Sequence, residues 1–173
     1  MTPLQTIILL TLLAGLAIPI GAAIANIKMF SKAWLENEYR HGVIAFGGGA
    51  LLSAVALVLV PEGIEQLSIT YSALYFMLGG FFFMIIDIAL SKIKTSASQL
   101  MAMLTDFIPE SLALGATFSI NPQSALLLAI LIALQNLPEG FNAFDELKKT
   151  STYSHLKIII LFSFLALLGP IAG

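Results

Sequence analysis

The chain has 173 residues, 58% of them hydrophobic and only 10% charged, with a mean hydropathy of +0.96 and a formal net charge of −2. Soluble domains carry about a quarter of their residues charged, so this composition excludes an ordinary water-soluble fold. The lack of a basic tract argues against nucleic acid as a partner, and the lack of cysteine excludes disulfides, thiolate metal sites and cysteine nucleophiles.

The apolar residues fall in runs close to the ~20 residues that cross a bilayer as a helix. The expectation is an all-α polytopic membrane protein, a single transmembrane domain over residues 1–173 with about six spans. The first, Leu4–Ala25, contains Ala23-Ile24-Ala25, which resembles a signal-peptide cleavage site. No Lys or Arg precedes the run, however, and it is longer than a signal core, so it reads as a retained span. The second, Gly42–Val60, carries Ala45, Gly49 and Ser53 four apart, a small-residue stripe suited to helix packing inside the bundle. Pro61-Glu62-Gly63 then reads as a helix stop, with Glu62 and Glu65 as a weaker candidate for a cation-attracting mouth. The third span, Ser72–Leu90, has Gly79-Gly80 at its middle, also suited to close packing, and Asp87 towards its end. The fourth, Gln99–Ile120, and the fifth, Ser124–Phe141, are joined by the short Ser119–Gln123 turn and must be antiparallel neighbours. The sixth runs from Ile158 to the last residue, Gly173.

All eight Lys and Arg residues lie after odd-numbered spans: Lys28, Lys32 and Arg40, then Lys92 and Lys94, then Lys148, Lys149 and Lys157. Cytoplasmic loops carry the basic excess, so the N-terminus is expected outside and these loops in the cytoplasm. Trp34, Tyr39, Tyr71 and Tyr153 fall near span ends, where interfacial aromatics belong. His41 and His155 also sit at span ends, with no partner at helical spacing that would make a metal pair. No nucleophile–base order, phosphate loop or zinc-protease motif is present, so no enzyme is expected.

The chemistry-bearing residues are the acids left inside the spans. Asp87, Asp106, Glu110 and Glu139 have no basic residue beside them at membrane depth. A carboxylate there costs several kcal/mol unless it is protonated, paired or coordinating, and usually marks an ion or proton path. Asp106 and Glu110 lie four apart on one face of the fourth span, and Gln135 and Glu139 repeat that spacing on the fifth. Counted from the shared turn, the two pairs reach similar depths. They are expected to converge as an oxygen cage for a divalent cation. Pro109 and Pro138 precede the two glutamates and free the carbonyls of Thr105 and Leu134, adding potential ligands.

At Asp106-Phe107-Ile108-Pro109-Glu110-Ser111 and Gln135-Asn136-Leu137-Pro138-Glu139-Gly140 the sequence resembles the ZIP (Zrt-, Irt-like) metal transporters. Their fourth and fifth spans carry paired Pro-Glu motifs that line the metal path. Leu10–Gly21, Ala45–Leu52 with Pro61-Glu62, Gly79–Phe82 with Asp87, and Ser111–Ala116 extend the resemblance over nearly the whole chain. The resemblance implies an eight-helix bundle of which this chain covers five spans and part of a sixth, truncated there. The remainder would come from a second chain or a homodimer. It also implies uptake of Zn, Fe or Mn into the cytoplasm across the cell membrane, and the same outside N-terminus. The alternatives are a degenerate, non-transporting homologue acting as a metal sensor or partner subunit, and a proton- or sodium-coupled carrier.

Where the family has histidine and asparagine in span 4 the chain has Asp106 and Phe107; in span 5 it has Gln135 and Asn136; before the span-6 proline it has Gly169. Asp106, Glu110, Gln135 and Glu139 are therefore the expected metal ligands, with Asn136, Asp87 and Glu62 as weaker candidates. Because Phe107, Asn136 and Gly169 stand where the resemblance places the ligands of a second ion, one ion per chain is expected; with oxygen donors only, the Zn²⁺-over-Mn²⁺ preference is expected to be narrower than in a histidine-bearing relative.

Overall fold

A computed structural model describes residues 2–27, 33–92 and 95–173, with the side chains of 33, 34, 36 and 96–99 outside that description. Lys28, Lys32, Lys94 and the side chain of Trp34, all used in assigning orientation, therefore lie outside the described residues. All regular structure among the described residues is helical.

Helix α1 covers Pro3–Ala25 and opens on a capping box, in which the Thr2 hydroxyl accepts from the Gln5 backbone and the Gln5 side chain accepts from that of Thr2. Helix α2 (Ala33–Ala54) continues through a π-helical turn, Val55–Leu59, into α3 (Val60–Gln66). The expected stop at Pro61-Glu62-Gly63 is therefore overturned. Pro61 sits in the first turn after the π segment, where a missing N–H costs little, and the helix runs on to Gln66. Helix α4 spans Ile69–Ser91, α5 Ser96–Ile120 and α6 Pro122–Thr150. The final segment is two helices, α7 (His155–Ala166) and α8 (Leu168–Ala172), broken at Leu167 ahead of Pro170.

Among the described residues, five stretches are long and apolar enough to cross a membrane: Pro3–Ala25, Asn37–Gln66, Ile69–Ser91, Pro122–Thr150 and His155–Ala172. The count expected was six. The difference is α5, long enough at 25 residues, whose Asp106, Pro109 and Glu110 dilute its apolar run. Helix α6 also outruns its expected end at Phe141 by more than two turns, so Lys148 and Lys149 cap a helix rather than sit in a loop. Arg40 likewise lies on α2.

Helix α6 is the hub. One apolar cluster joins Ile7 and Ala14 of α1, Ala54 and Val58, Leu114 of α5, and Ala125, Leu128 and Ile132 of α6. A second joins Ile18 and Ala22, Met103 and Phe107, Phe144 and Leu147, and Ile158 and Phe162 of α7. Early residues of α1 thus meet early residues of α6, and late meet late, so the two run parallel. Glycines bring them together: a Cβ on Gly140 would run into the Ile18 carbonyl, and one on Gly21 into the Leu137 carbonyl. Asn136, fully buried, donates from Nδ2 to the Ala14 carbonyl at 2.9 Å.

Helix α2 runs antiparallel to α6. Gly47 meets the Pro138 ring, and an Arg40–Asp145 ion pair at 3.5 Å and a Tyr39–Phe141 edge contact tie the ends. The small-residue stripe expected to pack, Ala45-Gly49-Ser53, does not. Ala45 and Gly49 are exposed, and the packed face is Gly47, Ala50, Ala54 and Val58, a rotation of roughly half a turn. Gly79 and Gly80 have nothing within 4 Å of an added Cβ either. At the other end, Glu62 accepts from Asn121 Nδ2 at 3.0 Å, and the Ser72 hydroxyl donates to the Gly63 carbonyl at 2.8 Å. Alternating helix directions place the described basic residues, Arg40, Lys92, Lys148, Lys149 and Lys157, at one end of the bundle.

Candidate functional site

Two helices with the same local grammar face each other. On α5, Asp106, Pro109 and Glu110 stand at i, i+3 and i+4; on α6, Gln135, Pro138 and Glu139 do the same. That spacing puts each trio on one helical face. Asn121 sets the register between them. It is the single residue between α5 and α6, and its Oδ1 accepts from the Gln123 and Ser124 backbones at 3.2 Å, capping α6.

All six residues line one cavity of about 730 Å³. Gly47, Gly48 and Val55 of the second span form a further wall, and Gly79, Gly80 and Phe83 of α4 another. The glycines that fail to pack in the fold thus leave room here. Among the described residues, no Lys, Arg or His lines the cavity. Gln135, 8% exposed, donates from Nε2 to Glu110 Oε1. Its own Oε1 stays buried without a partner, as do Glu110 Oε2 and the Oδ1 of a seventh lining residue, Asn142. Buried oxygens without donors cost about 1–3 kcal/mol each. Three of them around one chamber that also holds Glu139 and Asp106 create a demand for positive charge or donated protons.

The structure brings Asp106, Glu110, Gln135 and Glu139 to one chamber. Among the described residues, however, no three His, Cys, Asp or Glu side chains are grouped so as to hold one ion between them. The Gln135 amide is wedged onto Glu110, and Asp106 is exposed and faces α4 as well. It lines a smaller adjoining cavity of about 310 Å³ with Asp87, Thr105 and Ala102. Asp87 is thus next to the chamber rather than in it.

Asn136 and Glu62 are placed elsewhere. Asn136 is turned to α1, because a residue one beyond Gln135 lies about 100° around the helix. Glu62, 9% exposed, belongs to the α3–Asn121 junction, while Glu65 is exposed. Leu134, the source of an expected free carbonyl, does not line the chamber, whereas Thr105 lines the side cavity. Phe107 and Gly169 meet each other: a Cβ on Gly169 would lie 2.9 Å from the Phe107 ring. Asn142 was missed. Its signal was the i, i+4, i+7 series Gln135, Glu139, Asn142, legible once α6 is known to continue past Phe141.

Comparison with family models, with curated proteins and with solved structures finds no match.

Proposed function

We propose that the chain is a divalent-metal permease of ZIP type, with the chamber between α5 and α6 as its metal path. One observation carries the proposal: oxygen-bearing side chains from both helices, several with an oxygen buried without a partner, line a chamber with no basic side chain among the described residues. A divalent cation passing along the chamber supplies charge to the carboxylates and contacts to the unpartnered oxygens that it meets in turn; a monovalent ion or a proton supplies less of both. The metal is substrate here, held by Glu110 and Glu139 with Asp106 and Gln135 beside them. Oxygen ligands suit Mn²⁺ and Fe²⁺ relatively better than histidine sites do.

Uptake, which the ZIP resemblance implies, would carry the metal from the Asn121 end towards the Arg40–Asp145 end, the end that the basic residues mark as cytoplasmic. The test uses the purified chain in lipid nanodiscs, titrated calorimetrically with Mn²⁺ and Zn²⁺. Glu110→Gln and Glu139→Gln keep the volume and remove a charge, and each is expected to abolish binding. Glu65→Gln, exposed outside the chamber, is expected to leave it intact. Unchanged binding in both chamber variants overturns the proposal. Metal-insensitive binding of sodium by the unaltered chain would point instead to a sodium-coupled carrier.

A further inference from the structure

Helix α6 contributes three oxygen-bearing side chains to the chamber lining, Gln135, Glu139 and Asn142, about 10 Å from first to last at the helical rise. The first two rungs belong to the metal path already proposed. The third does not follow from the paired Pro-Glu motifs, which end before it. Asn142 Oδ1 is buried with no hydrogen-bond partner, and among the described residues no Lys, Arg or His lines the chamber to satisfy it. Gln135, more than nine-tenths buried, leaves its Oε1 in the same state. Asn136, the other amide of this stretch, spends its Nδ2 on the Ala14 carbonyl and does not line the chamber.

We propose that Asn142 is a further cation ligand, the neutral oxygen donor that takes the ion from Glu139 on the side nearest the Arg40–Asp145 pair. This rests on the metal-permease reading of the same chamber. Asn142 stands three residues beyond Glu139 and three before Asp145, so it is the last chamber oxygen on α6 before the ion pair that joins α2 to α6. A carboxylate there would hold a divalent ion too tightly to pass it on, whereas an amide oxygen ligates without adding charge. Transport needs binding that is favourable at each step and escapable at each step.

The experiment titrates Mn²⁺ into the full chain in nanodiscs and compares Asn142→Leu, Asn142→Asp and Glu139→Gln. Asn142→Leu keeps the branched side-chain skeleton and removes the ligating oxygen, and is expected to weaken Mn²⁺ binding about tenfold or more, the scale at which losing one group around a metal is felt. Asn142→Asp is expected to tighten Mn²⁺ binding while slowing Mn²⁺ uptake into proteoliposomes. A role confined to packing would move thermal stability without this opposite response to the two variants. If Glu139→Gln loses Mn²⁺ while both Asn142 variants bind as the unaltered chain does, the ligand assignment is overturned and the permease reading survives. If Asn142→Leu fails to fold, unchanged affinity and uptake in Asn142→Asp overturn the assignment. If the unaltered chain binds no Mn²⁺, both fall.

Discussion

Replacing Gly140 by alanine should loosen the α1–α6 seam from a position outside the chamber lining. The added Cβ would meet the backbone of Ile18, with the carbonyl carbon at 2.7 Å and Cα at 2.8 Å. Ordinary carbon contacts lie at about 3.5–4.0 Å, so the helices must separate by roughly 1 Å. The Ile18 carbonyl oxygen is closer still, all three obstructing atoms are backbone, and no flexible side chain can yield in their place. Such overpacking costs about 1–3 kcal/mol. Separation also stretches the 2.9 Å Asn136–Ala14 hydrogen bond beside it, worth about 1 kcal/mol. The expected loss is about 3 kcal/mol, a fall of roughly 6–12 °C in Tm for a domain of this size. Gly49→Ala is the control: nothing lies within 4 Å of its added Cβ, and alanine is about 0.8–1 kcal/mol the better helix former. Scanning calorimetry of both variants in nanodiscs should show Gly140→Ala melting well below the unaltered chain and Gly49→Ala at or above it. Equal shifts in the two variants would refute the close approach of α1 and α6.

Asn121→Ala removes the cap of α6 and the partner of the buried Glu62 oxygen at one stroke. Cap loss costs about 0.5–2 kcal/mol and the orphaned acceptor about 1–3 kcal/mol, so unfolding by denaturant should show a loss of about 2–4 kcal/mol. Phe107→Asn places the amide of the related motif where a ring packs at Gly15 and Gly169. It should lower stability by about 3–5 kcal/mol, as truncating a buried Phe does, and leave the stoichiometry of Mn²⁺ binding unchanged in calorimetry, because Phe107 does not line the chamber. Cysteines at Gln66 and Ser124 should label in intact cells and one at Ser151 only after permeabilisation; labelling at Ser151 in intact cells reverses the orientation.

Periodicity made the helices legible, and the paired i, i+4 polar residues made the meeting of α5 and α6 legible, because both are properties of single helices and one short turn. What escaped depends on rotation between helices. Ala45, Gly49 and Ser53 have the spacing of a packing stripe, but the choice between that face and the Gly47–Ala50–Ala54 face is made by Pro138 on α6, far away in sequence. The fate of Asn136 was decided in the same way, by an acceptor on α1. The π-helical turn at Val55–Leu59 has no signature in a run of five aliphatic residues, and by carrying the helix past Pro61 it brings Glu62 to Asn121. Phe107 was visible as a departure from the motif; its place in the α1–α5–α8 packing required the fold.

Helix α4 buries none of its residues against the protein, and this gives the surrounding lipid mechanical leverage. At 23 residues it is about 35 Å long, against a hydrocarbon layer of about 30 Å. A helix longer than its layer tilts, and α4 has little packing to oppose that tilt, whereas α6 is locked by α1, α2 and α5. Thinning or thickening the bilayer is therefore expected to shift α4 more than the Pro-Glu faces of α5 and α6. Gly79, Gly80 and Phe83 ride on that helix, so one side of the chamber would follow the thickness of the membrane like a door hung on a frame of lipid.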